Sequence, residues 1–453
     1  MEKNYICVVG LGVKNSKLGC HPDFSAVASK IIAEADILAG GREQLSYFAN
    51  HSAEQVVMTK NLNGFFSTLE EHYKQNKKVV VLADGDPLCF GIGTRIKEYF
   101  GLEMVKFFPN ISSIQALMAF LGLNLPDLTF VSLHGRNSWN EFDIALNTNK
   151  TIVLFTDRFS TPKVVANYML ERGADCFICH VCEELEETAQ GFIPKKYFKA
   201  SVIETAQNND FLHVESITGY ACKRILVFEP TPRQELRPTL IPGQPSYMFA
   251  SYKTAVMSGF MTRNVACSIL RPEPQHLVWD LGAGSGGMSI EIAAHVPRGR
   301  VISVEKKTEQ LANLYENRKK FTATNLEIIE GTFPECLVLP TFLNQPDRIF
   351  IGGGFGPNNC KNKENAFVLF RKIWDCLKDN GRLVATCVLL ETLILLQECF
   401  NEINVIPDVF NINTSQALAL AGGMRFVADN PVFIVASTKI STQQDDPLSH
   451  RAY

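Results

Sequence analysis

Three glycines at alternate positions are the residues of this chain best suited to binding a small molecule: Gly282, Gly284 and Gly286. The continuous apolar run before them, at 277–281, predicts a buried strand, and residues 288–294 predict a helix after them. Asp280 places a carboxylate two positions before the first glycine. Glycine lets the backbone approach a ligand closely, and a helix N-terminus offers free N–H groups to an anionic part of it. The pattern therefore predicts a ligand site at this strand-to-helix turn.

A carboxylate at the end of the next strand indicates what kind of ligand binds. The predicted strand at 301–304 ends in Glu305, where a carboxylate can bind the hydroxyls of a ribose. Glycines fall at 282, 284 and 286, with one more at 287, and we take the alternate series as the motif rather than the G-x-G-x-x-G fingerprint of nicotinamide and flavin sites. We therefore expect a nucleoside cofactor that is not a dinucleotide. The alternative is an ordinary strand–turn–helix connection without a ligand.

The series Asp-x-Gly-x-Gly-x-Gly, with an acidic residue at the end of the next strand, resembles the S-adenosylmethionine (SAM) methyltransferases of the Rossmann-like class. The resemblance implies that SAM binds here, with Glu305 on the ribose hydroxyls. Gly331 and Thr332, after a predicted strand at 326–329, would lie beside the adenine. The implied cofactor-binding residues are Asp280, Gly282, Ala283, Gly284, Ser285, Gly286, Glu305, Gly331 and Thr332.

A later run of glycines indicates a large and flat substrate. Gly352 to Gly354 and Gly356 stand where base-methylating relatives carry an Asn/Asp-Pro-Pro-aromatic motif that holds a flipped base. A glycine floor favours a bulky planar substrate, and the alternative is a flexible turn. Gly353 and Gly354 are our tentative substrate contacts. Three arginines in or beside motif-bearing loops could also bind substrate carboxylates, the alternative being solvated surface residues: Arg136, Arg263 and Arg425.

The N-terminal half carries turn motifs of its own. A predicted strand at 5–9 leads into Gly10 and Gly12, and a second strand at 79–83 leads into a Gly-Asp-Pro turn. Residues 108–113 predict a helix entry with hydroxyls available for a cap or a ligand. Each motif alone is more typical of a plain turn. The candidate ligand residues are Gly10, Gly12, Gly85, Asp86, Pro87, Ser112 and Ser113.

One cluster of thiols resembles a metal or haem motif: Cys176, Cys179, His180 and Cys182. It contains the C-x-x-C-H pattern of haem attachment and of a zinc half-site. Haem attachment requires export, and a zinc site requires a second ligand pair, which the sequence does not offer. We therefore predict an apolar β-strand here and no metal.

The composition is typical of a soluble protein with at least two domains. A chain of 453 residues exceeds one ordinary core. The net charge of −3 gives no general basic surface, so we do not expect nucleic acid as a partner. We find no signal peptide and no membrane-spanning run, and the thirteen cysteines fit reduced thiols. We therefore expect a cytoplasmic protein without a membrane partner.

Five prolines between residues 230 and 245 divide the chain, because such a run disfavours helix and sheet. Strand and helix signals alternate on both sides, so both halves are predicted to be α/β. The second half ends in a predicted hairpin from about 416 to 435. Further predicted elements are helices at 25–35 and 111–121 and strands at 78–82, 151–155 and 224–228. The predicted domains are 1–229 and 246–440, with a linker at 230–245 and a polar tail at 441–453.

Taken together and in order, the motifs of the N-terminal half resemble the tetrapyrrole (uroporphyrinogen/precorrin) methylase family over about residues 5–155. The matching pieces are Gly-Asp-Pro-Leu at 85–88, Pro-Asn-Ile-Ser-Ser at 109–113 and Ser-Leu-His-Gly-Arg at 132–136. The second half, from about residue 246, resembles the decarboxylating precorrin methyltransferases. Its entry motif departs from that family at 258–263, which leaves open whether Ser258 or Thr262 contacts SAM.

These resemblances imply a two-lobed tetrapyrrole-methylase fold followed by a Rossmann-like class I methyltransferase with a mostly parallel sheet. Each domain would bind one SAM. The first would methylate carbon 5 of a precorrin, with or without cobalt. The second would methylate carbon 15 and release the ring C acetate carboxyl as carbon dioxide. Relatives of both halves lead us to expect a homo-oligomer.

Two alternatives stay open. One is a SAM methyltransferase of another small molecule or of RNA, fused to an inactive SAM-binding domain. The other is a SAM-binding regulatory protein. We assign no catalytic residue, because methyl transfer from an electrophilic sulfonium depends mainly on positioning.

Overall fold

Strands and helices alternate through the first part of the chain, as the sequence signals predict. The computed structural model describes residues 5–15, 24–133, 138–148, 150–208, 224–232, 239–250, 259–353, 355 and 362–440. The first elements are β1 (Ile6–Gly10), β2 (Lys14–Asn15), α1 (Ala26–Ala33), β3 (Ile37–Gly40), α2 (Arg42–Ser46), β4 (Glu54–Val57), α3 (Leu62–Lys74), β5 (Val79–Ala83), α4 (Gly93–Phe100), β6 (Val105–Phe108) and α5 (Ser113–Leu121).

Five parallel strands form the first sheet, in the order β4-β3-β5-β1-β6. β1 lies inside the sheet between β5 and β6, and its Val8 enters one apolar cluster while its Val9 enters another. Such burial on both faces is typical of a parallel sheet covered by helices on each side. Because the strands are parallel, the turns after β1, β5 and β6 emerge at the same edge.

The second sheet is mixed and lies in the same half of the chain. Its strand order is β10-β9-β11-β8-β7, with β2 beside β9. Among the described strand pairs of this second sheet, β7–β8 and β2–β9 are parallel and the others are antiparallel. The elements are β7 (Leu128–Ser132), α6 (Trp139–Leu146), β8 (Thr151–Phe155), α7 (Pro162–Glu171), β9 (Phe177–Thr188), β10 (Gly191–Ser201), α8 (Val202–Gln207) and β11 (Arg224–Pro230).

The strand predicted at the thiol cluster is confirmed as the start of β9. Cys179 and Cys182 are buried and enter different apolar clusters, since residues three apart on a strand face opposite sides. The His180 ring is hydrogen-bonded through Nδ1 to the Tyr197 hydroxyl at 2.8 Å and through Nε2 to Glu229 at 3.0 Å. In the described part of the chain, no group of three His, Cys, Asp or Glu residues could hold a metal ion.

The third sheet forms the core of the C-terminal half. Its order is β14-β13-β12-β15-β16-β20-β17, parallel through β16 and antiparallel at β20 and β17. The elements are α9 (Phe260–Leu270), β12 (Leu277–Leu281), α10 (Gly287–His295), β13 (Arg300–Glu305), α11 (Thr308–Phe321), β14 (Leu326–Glu330), β15 (Arg348–Ile351), α12 (Lys363–Cys376), β16 (Arg382–Cys387), α13 (Leu390–Glu402), β17 (Asp408–Ile412), β18 (Ser415–Leu420), β19 (Gly423–Ala428) and β20 (Val432–Thr438).

The C-terminal hairpin is shorter than the sequence predicts. It consists of β18 and β19, which pair with each other outside the main sheet. Val435 belongs instead to β20, where it pairs with Ala385 of β16. The reason is burial: residues 434–436 of β20 are fully enclosed in the core of the sheet, whereas β18 and β19 are mostly exposed.

The proline-rich segment is partly built into the two halves. Pro230 ends β11, and residues 239–250 lie against the helices of the third sheet. Residues 233–238 lie outside the described residues, as does the predicted tail. The domain limits therefore stay a prediction, and the described part of the segment belongs structurally to its neighbours.

The two halves contact each other through α6 and α7 on one side and α11 with the turn after it on the other. Arg318 Nη2 donates to the Glu171 carbonyl at 3.2 Å. Thr324 Oγ1 donates to the Asp143 carbonyl at 2.7 Å. Within the described ranges, no helix is long and apolar enough to cross a membrane.

Candidate functional site

The glycine turn after β12 joins a strand to a helix, and its glycines adopt backbone conformations that favour this residue. Gly282, Gly284 and Gly286 all have positive φ, at 76°, 58° and 85°, a region that residues with a Cβ rarely adopt. A Cβ on Gly282 would also collide with the carbonyl oxygen of Gly353. A Cβ on Gly286 would collide with the Leu314 side chain of α11. The contact at Gly282 is with backbone, so glycine there lets the turn lie close to the glycine run after β15.

Asp280 is a fully buried carboxylate directly under the turn. Ser289 Oγ donates to its Oδ2 at 2.6 Å, while Oδ1 accepts no hydrogen bond from a described residue. Burial raises the pKa of this carboxyl to about 7, because the charged form is poorly solvated. The Ser289 hydrogen bond opposes that rise and the nearby Glu305 charge adds to it. An incompletely bonded carboxylate facing a cavity is suited to a polar or cationic ligand.

Glu305 closes the other side of the turn. Its Oε2 accepts from the Gly284 N–H at 2.7 Å, and its Oε1 accepts from the N–H groups of Lys306 and Lys307 at 2.8 and 2.9 Å. These bonds fix the carboxylate where β13 ends, 8% exposed. These three bonds leave one of about four lone-pair sites of the carboxylate for a ligand hydroxyl in the adjoining cavity.

A cavity of about 770 Å³ lies between these groups, at the carboxyl edge of the third sheet. Gly331 and Thr332 line it beside β14, where Gly331 N donates to the Glu305 carbonyl at 2.9 Å. Gly352 and Gly353 line the opposite side, and Gly354 lies outside the described residues. All the cofactor residues predicted for this half line the cavity except Gly286, which is the N-cap of α10. The buried acceptor on Asp280 and the glycine cradle fit SAM.

Several lining residues were not predicted from the sequence. Phe333 and Phe355 add aromatic surface, and Met288 adds a thioether beside the turn. Their signal was only their position next to predicted residues, since Phe333 directly follows Thr332. An apolar residue next to a turn is more often core than ligand surface, so sequence alone does not separate the two roles.

In the N-terminal half, three turns meet at the edge of the first sheet. A Cβ on Gly10 would collide with the Gly85 carbonyl, and Gly12 forms a backbone bridge with Gly85. Asn110, after β6, donates through Nδ2 to the Gly10 carbonyl at 3.2 Å. Asn110 was not predicted as a site residue, although it lies within the Pro-Asn-Ile-Ser-Ser piece. Gly10, Gly12, Gly85 and Asn110 therefore lie together at this edge of the sheet.

The remaining predicted residues of this half have structural partners. Asp86 Oδ1 accepts from the Leu88 N–H at 2.8 Å, which closes the turn around Pro87. Ser112 is the N-cap of α5, and its Oγ accepts from the Gln115 N–H at 3.2 Å in a capping box. Ser113 is the first residue of α5. The hydroxyl predicted for a cap or a ligand at Ser112 is therefore used as a cap, which orients the helix N-terminus toward the same edge.

Of the three arginines, the two that the structure describes do not line the cavity. Arg263 is fully buried on α9, donates to the Gln244 carbonyl at 2.5 Å and lies 4.7 Å from the Phe249 ring centroid. It holds the 239–250 segment, so the structure gives no support to its tentative substrate role. Arg425 lies on β19 of the exposed hairpin and does not line the cavity. Arg136 lies outside the described residues, as does Ser258, while Thr262 is buried on α9.

Comparison with known proteins identifies two families in one chain. Residues 6–190 match the tetrapyrrole (corrin/porphyrin) methylases. Residues 253–439 match the precorrin methyltransferase domain. A Sinorhizobium protein, a decarboxylating precorrin-6Y C(5,15)-methyltransferase, is 27% identical over 371 residues, covering 80% of this chain and 80% of that protein.

Two shorter relatives match one half each. A cobalt-precorrin-7 C(5)-methyltransferase of Salmonella typhimurium is 33% identical over 168 residues, covering 37% of this chain and 79% of the relative. A probable decarboxylating cobalt-precorrin-6B C(15)-methyltransferase of Saccharolobus solfataricus is 28% identical over 203 residues, covering 44% of this chain and 97% of the relative. With its two family matches in this order, the chain belongs to the precorrin methyltransferases.

Proposed function

We propose that this chain is a bifunctional SAM-dependent C-methyltransferase of cobalamin biosynthesis. It methylates carbons 5 and 15 of precorrin-6Y, or of its cobalt form, and decarboxylates the ring C acetate side chain. The support comes from the relatives, since the C(5) relative matches the first half and the decarboxylating C(15) relative matches the second. The Sinorhizobium protein spans both activities in one chain.

The observation that carries the proposal is the cavity at the carboxyl edge of the third sheet. SAM binding is assigned to it, with the Glu305 carboxylate on the ribose and the Asp280 carboxylate facing the amino acid part. Gly331 and Thr332 lie beside the adenine. The glycine floor at Gly352 and Gly353 faces the planar macrocycle. Gly282, Ala283, Gly284 and Ser285 supply backbone contacts, and Gly286 shapes the turn behind them.

A second SAM is assigned to the N-terminal half. The turns at Gly10 to Gly12, at Gly85 to Pro87 and at Ser112 to Ser113 meet at one sheet edge. Backbone groups predominate there, as a cofactor held by close approach requires. One SAM per domain follows from this assignment.

The bound cofactor supplies an electrophilic methyl group, and the reduced macrocycle supplies the carbon nucleophile. The protein contributes position and exclusion of water, which are the main sources of rate in such a transfer. Asp280 and Glu305 orient the cofactor, and the glycine floor admits the ring without side-chain obstruction. Decarboxylation leaves charge that the macrocycle itself can delocalise.

Incubation of the full chain with precorrin-6Y or its cobalt form and SAM tests this function. Mass spectrometry is expected to show two added methyl groups and the loss of one carboxyl, with release of carbon dioxide. Gly282→Val is expected to stop carbon 15 methylation and carbon dioxide release, while Gly10→Val is expected to stop carbon 5 methylation. A product with fewer than two added methyls, or with the carboxyl retained, contradicts the proposal.

The proposal includes a homo-oligomer. The hairpin β18–β19 exposes large apolar side chains, which is typical of a contact surface: Leu418, Leu420, Met424 and Phe426. Light scattering during size-exclusion chromatography is expected to give a multiple of the chain mass.

A further inference from the structure

Asn317 of α11 is fully buried and hydrogen-bonded to two separate segments of backbone. Its Oδ1 accepts from the Ala250 N–H at 2.7 Å, and its Nδ2 donates to the Ala250 carbonyl at 2.9 Å. The same Nδ2 donates to the Ser285 carbonyl at 2.8 Å. One amide therefore joins the end of the 239–250 segment to the glycine turn.

The hydrogen bonds that hold the first part of the turn involve its N–H groups and not the Ser285 carbonyl. The Gly282 and Ala283 N–H groups bond to the Val304 carbonyl, and the Gly284 N–H bonds to Glu305. These bonds hold the first part of the turn to β13. Ser285 follows them and lines the cavity, 5% exposed. Its carbonyl direction is set from beneath by the Asn317 amide.

The 239–250 segment is itself anchored at two further points, which makes it a firm base for Asn317. The Gly243 N–H donates to Glu291 Oε1 at 2.5 Å, and Arg263 donates to the Gln244 carbonyl. Both side chains are fully buried on the helices α10 and α9. Because each of these buried side chains hydrogen-bonds to the backbone of the segment, the segment is held to α10 and to α9.

We propose that Asn317 is a positioning residue of the C-terminal SAM site. It holds Ser285, and through it the glycine turn, in the conformation that receives the cofactor, although it does not touch the cofactor cavity. The inference rests on the proposed function, because it takes the turn after β12 to bind SAM. Neither the glycine motif nor the family resemblance singles out this asparagine.

Asn317→Ala and Asn317→Ser in the full chain test the role, with Asn325→Ala as the matched control. Asn325 is also a buried asparagine of the same half, 2% exposed, and donates to the Ala293 and Val296 carbonyls at 3.0 and 2.8 Å. Asn325 thus contacts the C-terminal end of α10, and it does not line the cavity. Both alanine variants lose two donated hydrogen bonds, so both are expected to lower the melting temperature.

Asn317→Ala and Asn325→Ala are expected to differ in the KM for SAM. The KM for SAM, measured by carbon dioxide release, is expected to rise about tenfold in Asn317→Ala with kcat within about twofold, since three buried hydrogen bonds are lost, one of them to the glycine turn. The serine variant keeps one donor and is expected to be intermediate. Asn325→Ala is expected to leave this KM unchanged, and carbon 5 methylation is expected to be unchanged in all three variants.

Hydrogen exchange separates failure of this inference from failure of the proposed function. SAM is expected to protect the peptide spanning 280–290 in the wild-type chain, and half-maximal protection is expected to need about ten times more SAM in Asn317→Ala. Absence of protection in the wild type overturns the proposed function together with this inference. Equal protection curves for the wild type and Asn317→Ala, or equal shifts in Asn317→Ala and Asn325→Ala, overturn the positioning role alone.

Discussion

At Asp280, burial and charge act against each other. The side chain is fully enclosed, so its ionised form is costly in the free protein, and its pKa is raised to about 7 from 3.8. A raised pKa means that the protonated carboxyl contributes stability at low pH. This contribution is lost as the pH rises through about 7. A cationic ligand restores a favourable environment for the ionised form, which links cofactor binding to this single titration.

SAM affinity of the C-terminal half is therefore expected to depend on pH through Asp280. Below pH 7 a proton must leave before the carboxylate can face the cationic cofactor, so affinity is expected to fall about tenfold per pH unit. Asp280→Asn keeps an acceptor for Ser289 and has no such proton. It is expected to bind more weakly at pH 8 and to lose the pH dependence. Titrations followed by exchange of the 280–290 peptide measure both, and an unchanged pH dependence in the variant would contradict the assignment.

Among the elements, the connection between β12 and α10 concentrates the backbone requirements of the site. Its three alternate glycines all have positive φ, but their surroundings differ. A Cβ on Gly282 meets the backbone of Gly353, which cannot move without shifting the floor of the cavity. A Cβ on Gly284 meets no protein atom within 4 Å. Alanine at position 284 therefore tests backbone strain alone, whereas alanine at position 282 tests the same strain together with a steric collision.

Alanine at these two positions is expected to give different losses of stability. Gly284→Ala is expected to cost about 1 kcal/mol of unfolding free energy, from the left-handed conformation alone. Gly282→Ala adds a collision with backbone and is expected to cost about 3 kcal/mol. Chemical denaturation of each variant without cofactor measures these values. Equal losses would show that the approach to Gly353 relaxes at no cost.

The whole molecule has a close contact between its halves at the end of α7. Gly173 has φ of 74° and is buried, and a Cβ on it would collide with the carbonyl oxygen of Lys319. Nearby, Asp143 Oδ1 lies 3.2 Å from Arg172 Nε, and Asp143 Oδ2 accepts a hydrogen bond from the Tyr168 hydroxyl at 2.8 Å. Burial raises the pKa of Asp143 to about 6, against the opposing charge of Arg172. Packing at this contact joins two units that each have a core of their own.

Gly173→Ala is expected to separate the unfolding of the two halves. The Cβ forces α7 away from α11, and we expect calorimetry to show two resolved transitions and a loss of about 3 kcal/mol. The matched control is Gly122→Ala, at the end of α5, where φ is 67° and no atom lies within 4 Å of the added Cβ. It is expected to cost about 1 kcal/mol. Identical unfolding profiles for the two variants would show that the contact is not tight.

Local patterns predicted most of the fold because they report local requirements. The apolar runs at β1, β5 and β12 are strands in the structure, since continuous burial on both faces requires them. The glycine series predicted a strand-to-helix turn for a similar reason. The hairpin limit was wrong at Val435, because an apolar run does not say which neighbouring strand it joins. That choice depends on contacts distant in the sequence.

The sequence by itself determined the order of the two families, the glycine turn and the carboxylates at 280 and 305, because backbone conformation and strand periodicity are encoded by neighbouring residues. Only the tertiary structure decided which polar groups face the cavity and which are spent on the fold. Arg263 has the charge that a substrate-binding residue needs, but its guanidinium donates a hydrogen bond to the Gln244 carbonyl instead. Asn317 has no motif and nevertheless reaches Ser285. The physical reason is that a polar side chain acquires its role from its burial and partners, and segments far apart in the chain supply both.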